Sequence, residues 1–316
     1  MKDLSPLPLT YCFQYIDIEL VAFKDPFIST LHNGPIESHV FSTLQKFGQV
    51  APLLVQQQPE NQYHLLADYP QYSALKALAI ERVACQILPF TTPPWTLYAF
   101  LAFHHLSATN TSPILQAHLL RKAQQDFSEN EQLQLLSLMG YKAQKYKLDE
   151  LLGFLQLDIS AILALHQGLL SPKTGKQLAR ITHEDQRKLV NVITAYKLGG
   201  SKQQKLIEMV LELLLRGESC DVAEILNSWL PIQERFVDNL PQKAQGLMQY
   251  LHERCYPART AAEIQFKKFV QGLQPEEKVT IEHSLSFEDE SLEVRLRFAD
   301  AATLGKNWKK IQMIMQ

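Results

Sequence analysis

Two successive prolines in Thr91-Thr92-Pro93-Pro94-Trp95 separate two hydrophobic rhythms in this chain. Proline donates no backbone hydrogen bond and its ring crowds a preceding helical turn, so neither a helix nor a central strand runs through the pair. Upstream, short apolar stretches of strand and helix period alternate between Gly and Pro breaks. Downstream, as far as Gly217, apolar residues recur almost entirely at helical spacing. The pattern predicts an α+β N-terminal domain over residues 1–92, an all-α middle domain over 93–218 and a small α+β C-terminal segment over 219–316. A chain of 316 residues has room for two or three cores. Its 46% hydrophobic and 20% charged residues are those of a chain that folds. No apolar run approaches the roughly 20 residues of a membrane span. The opening MKDLSPLPLTY has no signal-peptide core, so a cytoplasmic location away from membranes is expected.

Residues 37–47 place Val40, Phe41, Leu44 and Phe47 on one helical face, with Gly48 positioned to end the helix. Residues 52–55 read as a strand, PENQ as a turn and 63–67 as the return strand, followed by a helix over 73–79 and a strand over 83–88. In the middle domain Ser128 and Glu131 make a capping-box pattern before a helix that Gly140 ends, and Lys142, Lys145 and Lys147 open the next. Ser171-Pro172, Thr182 and Ser201 mark three further helix starts. Near the C-terminus Leu292, Val294, Leu296 and Phe298 alternate with Glu293, Arg295 and Arg297, a strand with one wet face. Residues 279–283 are its expected partner, with helices over 261–271 and 301–313 beside the pair.

The formal net charge is only −2, so its distribution matters more than its sum. Residues 141–216 hold 12 Lys/Arg against 7 Asp/Glu, whereas residues 1–95 hold five against eight. A polyanion is therefore expected to meet the middle of the chain. Cys12, Cys85, Cys220 and Cys255 show no paired spacing, and neither His104-His105 nor His252 with Cys255 has the companion ligands a zinc site needs. Cys85 reads as a small core residue, and Trp95, Trp229 and Trp308 as packing residues. Catalytic triads, phosphate-binding glycine loops and metal or cofactor motifs are absent, and no catalytic residue, metal or cofactor is assigned.

FGQVAPLLV and YHLLADYPQYSALKALAIERVACQILP together resemble the N-terminal domain of the ParB family of partition proteins, which is related to sulfiredoxin. LSLMGYKAQKYKLDELLGFLQL, residues 136–157, sits where that family's helix-turn-helix stands, and LHQGLLSPKTGKQLARI, residues 165–181, resembles its continuation. The resemblance spans roughly residues 17–216. It implies a bacterial, DNA-binding protein of the chromosome- or plasmid-partition kind, dimeric and working with a partner ATPase. Anchored on Val83-Ala84-Cys85, the family's Gly-Glu-Arg-Arg turn falls on Asp68, Tyr69, Pro70 and Gln71, and a further family Arg falls on Ser73. In the family the Arg pair and the helix start hold nucleotide phosphates, a task suited to a permanently charged planar fork. Pro70 has neither donor nor charge, and Gln71 and Ser73 offer only neutral hydrogen bonds. The family's architecture is thus expected without its nucleotide binding and hydrolysis.

Lys142, Gln144, Lys145, Lys147, Lys173, Lys176, Arg180, Lys202 and Lys205 are the expected DNA contacts, mostly to phosphates of double-stranded DNA. Only Gln144 offers an amide to a base edge. Two other readings stay open. One is a protein-interaction scaffold whose basic helices are merely solvated. The other is a nucleotide-binding enzyme with a pocket rebuilt from Tyr69, Gln71, Tyr72 and Ser73 with His64. The bland reading of Asp68 and Tyr69 is an ordinary turn.

Overall fold

The computed structural model describes residues 10–32, 38–106, 112–219, 221–234, 236, 239–275, 278–283 and 291–314. They belong to two compact units, Met1–Ile207 and Glu208–Gln316. The first contains a five-stranded mixed sheet in the order β1-β5-β3-β4-β2. Its centre is β3 (Leu53–Gln58), antiparallel to β4 (Gln62–Leu65) and parallel to β5 (Arg82–Leu88). At the edges lie β1 (Cys12–Asp17), antiparallel to β5, and the two-residue β2 (Val21–Ala22), parallel to β4.

Because side chains alternate along a strand, Leu53, Val55, Val83, Cys85 and Ile87 share one face, where Leu44, Tyr72, Ala74 and Leu75 complete a buried core. Those last four come from α2 (Ser38–Phe47) and α3 (Tyr69–Ala77). Gly48 ends α2 with φ +71°, the left-handed conformation that costs glycine least. Strands β1 and β2 were not anticipated. Helix α3 starts at Tyr69 rather than at residue 73, because proline at the second helical position sacrifices no hydrogen bond. The short α1 (Pro26–Leu31) is capped by Asp25, whose Oδ1 accepts from the N–H groups of Phe27 at 3.1 Å and Ile28 at 3.2 Å.

The rest of this unit is helical: α4 (Pro94–Phe100), running into a single π-helical turn over Leu101–His105, then α5 (Pro113–Ala123), α6 (Glu129–Leu138), α7 (Lys145–Phe154), α8 (Ile159–His166), α9 (Pro172–Leu178), α10 (His183–Ala195) and the start of α11 (Gly200–Leu215). The capping box forms, with Glu131 accepting from the Ser128 N–H at 2.8 Å. Gly140 turns the chain at φ +89°. Three buried glutamines secure the connections. Gln203 accepts from Ser171 N–H at 3.0 Å and donates to the carbonyls of Leu169 and Leu198 at 2.8 Å each. Gln186 accepts from Asp158 N–H at 2.7 Å and donates to Leu178 and Ile181, while Gln116 accepts from the Tyr141 hydroxyl and donates to Leu106.

The second unit continues α11 and adds α12 (Val222–Gln233), α13 (Leu240–Cys255), α14 (Pro257–Leu273), the antiparallel pair β6 (Val279–His283) and β7 (Leu292–Leu296), and α15 (Ala301–Ile314). The paired strands and both neighbouring helices correspond to expectation. Helices α12 and α13 make the unit richer in helix than the strand pattern suggested; Ile225, Trp229, Leu247 and Leu251 are buried, and the Trp229 ring lies 5.7 Å from that of Tyr250. Cys220 lies outside the described residues. No helix of the described residues is long and apolar enough to cross a membrane.

Asp158 caps α8 and is buried. Burial works against its charge, but hydrogen bonds from Arg187 at 2.9 Å and from the Ser160 hydroxyl at 2.6 Å outweigh this and hold its pKa at about 2 rather than 3.8. A depressed carboxyl stabilises the fold above its unfolded pKa and loses that contribution as pH falls from 3.8 through 2, here about 2 kcal/mol. Thermal melts are expected to stay level from pH 7 to about 5 and fall steeply below about 4. Asp158→Asn should lower the melting temperature at pH 7 and shrink the further drop on the acid side.

Candidate functional site

Asp68 precedes α3 with φ +65° and ψ +35°, a left-handed conformation in which Asp is tolerated far better than bulky residues. Beyond it the side chains diverge. Gln71 turns away and donates to the Ala51 carbonyl at 2.6 Å, and Tyr72 is buried with its hydroxyl on the Val21 carbonyl at 2.8 Å. Ser73 lies partly buried on α3. Asp68, Tyr69 and Pro70 instead line a cavity of about 420 Å³. Tyr69 stacks obliquely with Phe23, ring centres 4.5 Å apart. The structure therefore brings together only three of the five positions singled out in the turn. Of the pocket read from Tyr69, Gln71, Tyr72 and Ser73 with His64, the cavity takes Tyr69 and His64, while Gln71, Tyr72 and Ser73 are not among its lining.

The opposite wall comes from the helical half of the same unit. Leu97, Leu101, Leu106, Leu115 and Leu119 make it apolar, with Tyr98 beside them. At one end sits a buried polar cluster. Asp25 Oδ2 accepts from His118 Nε2 at 2.7 Å and pairs with the Lys122 ammonium. Arg121 contacts His118 Nδ1 at 3.1 Å, and because a guanidinium can only donate, Nδ1 is the acceptor and Nε2 carries the proton. Phe27 stacks on His118 at 4.5 Å and Arg121 lies over the same Phe27 ring at 4.9 Å. Burial opposes the charge on Asp25, but hydrogen bonds from His118 and Lys122 overcome it and hold the carboxyl well below the ordinary carboxylate range. His64 is pushed below its ordinary pKa, chiefly by burial and then by the charges of Lys122 and Lys24, which leaves a neutral ring.

The proposed DNA contacts occupy α7, α9 and the start of α11. Lysines in the first turn of a helix face its positive dipole end, an unfavourable placement unless carboxylates offset it. Here they do: Lys145 pairs with Glu129 at 2.5 Å and Lys147 with Glu150 at 2.6 Å, and Lys176 reaches Glu150 at 3.1 Å. Lys147 also lies over the Tyr141 ring at 4.8 Å. Lys142, in the turn before α7, Lys173, Arg180, Lys202 and Lys205 are exposed and form no ion pair among the described residues. Gln144 stands exposed at the N-cap of α7 without a side-chain capping bond. The Gln203 contacts to Ser171 and Thr174 bring Lys173 and Lys202 onto neighbouring helix starts, and the Lys176–Glu150 pair ties α9 to α7.

No protein-family model matches this sequence, and no curated protein matches it. Among solved structures, C-terminally truncated chromosome-partitioning protein ParB from Caulobacter crescentus, complexed to the centromeric parS site, is similar at 13% identity and a TM-score of 0.33, covering 62% of this chain and 98% of that one. The same protein complexed with CTP-gamma-S gives 12%, 0.25, 58% and 98%. A Pnob8-like ParB-N domain gives 15%, 0.38, 80% and 97%. These matched structures are ParB proteins.

Asp68 adopts φ +65°, a left-handed conformation more usual for glycine. Elsewhere, Cys85 is buried and its thiol is pushed up to about 11 by burial, as suits a core residue. Cys255 contacts the Met209 carbonyl at 3.3 Å and His252 packs on Tyr256, so this pair does not converge as ligands. Among the described residues no group of three or more His, Cys, Asp or Glu could hold a metal. Trp95 packs on Phe127 and Trp229 is buried, whereas Trp308 is half exposed.

The Asp25–His118–Lys122 cluster was missed from sequence. Its signals were an Asp-Pro helix start at residue 25 and His118, Arg121 and Lys122 at i, i+3 and i+4 on α5. Asp25→Ala removes a helix cap and strands the buried His118 N–H, with the half-exposed Lys122 ammonium losing its partner, and should cost roughly 3 kcal/mol of stability in denaturant unfolding. His118→Phe, which keeps the stacking on Phe27, should cost less.

Proposed function

We propose that the chain is a ParB-like DNA-binding protein of the partition or regulatory type, divided over residues 1–92, 93–218 and 219–316. Residues 136–157 would be its helix-turn-helix, α6 and α7, with the face of α7, α9 and early α11 gripping double-stranded DNA through phosphates. One observation carries the reading: Lys142, Lys173, Arg180, Lys202 and Lys205, on or beside neighbouring helices, are exposed and have no carboxylate partner among the described residues. Ammonium groups suit phosphate contact and specify little sequence. Gln144 is the side chain on α7 able to read a base edge. Nucleotide hydrolysis of the motif's kind is lost in this reading, since Pro70 and Gln71 supply no charge.

Double-stranded DNA affinity should fall steeply with salt. Replacing Lys142, Lys173, Lys202 and Lys205 together by Ala should reduce the log–log salt slope by about 3 to 4. Glu150→Gln should act oppositely, releasing Lys147 and Lys176 and tightening binding. Binding without salt dependence, or unaffected by the fourfold change, favours a protein-interaction scaffold.

Self-association through the second unit belongs to the same proposal, as does a partner ATPase, the latter on the sequence resemblance alone. On the β6–β7 pair, Leu292, Val294 and Leu296 share one face and remain 43–57% exposed. A two-stranded sheet is marginal by itself and gains from a covering copy. Sedimentation should report a dimer that Val294→Glu weakens.

A further inference from the structure

We propose that the cavity beside Asp68 and Tyr69 binds an uncharged small molecule, its apolar body against the leucine and aromatic wall and a single hydroxyl-type head between Gln56 and His64. The cavity's volume of about 420 Å³ lies within the range of roughly 300–1,000 Å³ typical of small-molecule sites. Two departures from regular backbone border it: Asp68 at φ +65°, and the π-helical turn over Leu101–His105 that follows α4. Left-handed non-glycine residues and π turns are both uncommon and gather at functional sites.

The place of the head follows from sheet geometry. Gln56 and His64 are cross-strand partners on β3 and β4, and period-2 alternation turns both away from the core face that holds Val55, Tyr63 and Leu65. Both line the cavity, half-buried, and neither side chain makes a hydrogen bond among the described residues. Burial, and then the charges of Lys122 and Lys24, push His64 below its ordinary pKa, so its neutral ring carries one N–H donor and one acceptor nitrogen. The Gln56 amide likewise offers a donor and an acceptor. Polar groups left without partners when water is displaced are costly. A hydroxyl, which both donates and accepts, satisfies such a pair without bringing charge.

The charges of the lining are already engaged. Asp25 is held by the Lys122 ammonium, by His118 and by two backbone N–H groups, so neither it nor Lys122 is a free counterion. Asp68 stands exposed, where water screens its charge, and has a contact of its own. An anion would meet two carboxylates and a cation would meet Lys122, so either would lose its hydration without gaining a partner. Leu97, Leu101, Leu115 and Leu119, facing Phe23 and Tyr69, suit an alkyl chain or a ring instead.

The test uses the full-length protein with 1-octanol, octanoate and octylammonium as probes, three chains of one length with differently charged heads, read by calorimetry and thermal shift. 1-Octanol should bind and raise the melting temperature as its concentration rises, and both ions should bind at least roughly tenfold more weakly. Gln56→Leu and His64→Leu, which leave Asp25 and Lys122 in place, should each weaken 1-octanol binding about fivefold. Ala67→Phe, which fills the cavity, should keep the native circular dichroism and lose 1-octanol binding at least roughly tenfold. If Ala67→Phe does not fold, the two leucine variants decide. The proposal is overturned if 1-octanol does not bind, if either ion binds as tightly as 1-octanol, or if folded Ala67→Phe binds 1-octanol unchanged. Unchanged 1-octanol binding by both leucine variants overturns the placement of the head.

Discussion

A buried carboxylate holds the first unit together. Asp25 caps the short helix that leaves the sheet and, through His118 and Lys122, anchors α5 of the helical half. Neither half could bury these groups alone: a lone carboxylate or imidazole out of water costs several kcal/mol unless it is paired and hydrogen-bonded. The cluster satisfies each member, with two backbone donors, one imidazole N–H and one ammonium on the carboxylate, and a guanidinium on the far imidazole nitrogen. Burying it fixes the spacing of sheet and helices, and the cavity lined by Tyr69 and the leucines is a consequence of that spacing.

Buried glutamines do for the helical half what Asp25 does for the junction. An amide supplies acceptor and donors without a charge to desolvate, so Gln116, Gln186 and Gln203 can each satisfy backbone groups at the helix connections. Gln203 bears most directly on the proposed DNA contacts. By holding the N–H of Ser171 and the carbonyls of Leu169 and Leu198 it ties the start of α9, which carries Lys173, to the start of α11, which carries Lys202. The basic face is thus organised by uncharged residues beneath it, and its net strength is tuned by Glu129 and Glu150 beside it.

Much of this was legible in the sequence where the signals are local. Capping residues Ser128, Ser171 and Thr182, the glycines at 48 and 140 and the strand alternation at 292–296 act within a few residues, and all appear as expected. Strand β1 was hidden because only Ile16 of its six residues is buried and its partner, β5, lies some seventy positions away. The start of α3 was hidden because Asp-Tyr-Pro is read as a turn unless the proline is seen to occupy a helix's first turn. The pairing of Lys145 and Lys147 with acids was partly visible, since Glu150 lies three residues beyond Lys147. Glu129 comes from another helix, and the link from Asp25 to His118 spans 93 positions. No local pattern announces either contact.

The division of the lysines into paired and unpaired sets is the feature on which the DNA-binding reading turns. Lysine-selective acetylation, quantified by mass spectrometry with and without a short DNA duplex at low salt, addresses it side chain by side chain. The expected result is strong protection of Lys142, Lys173, Lys202 and Lys205 by the duplex, with Lys145, already held by Glu129, changing little. Equal labelling of those four lysines in the presence and absence of DNA would contradict it.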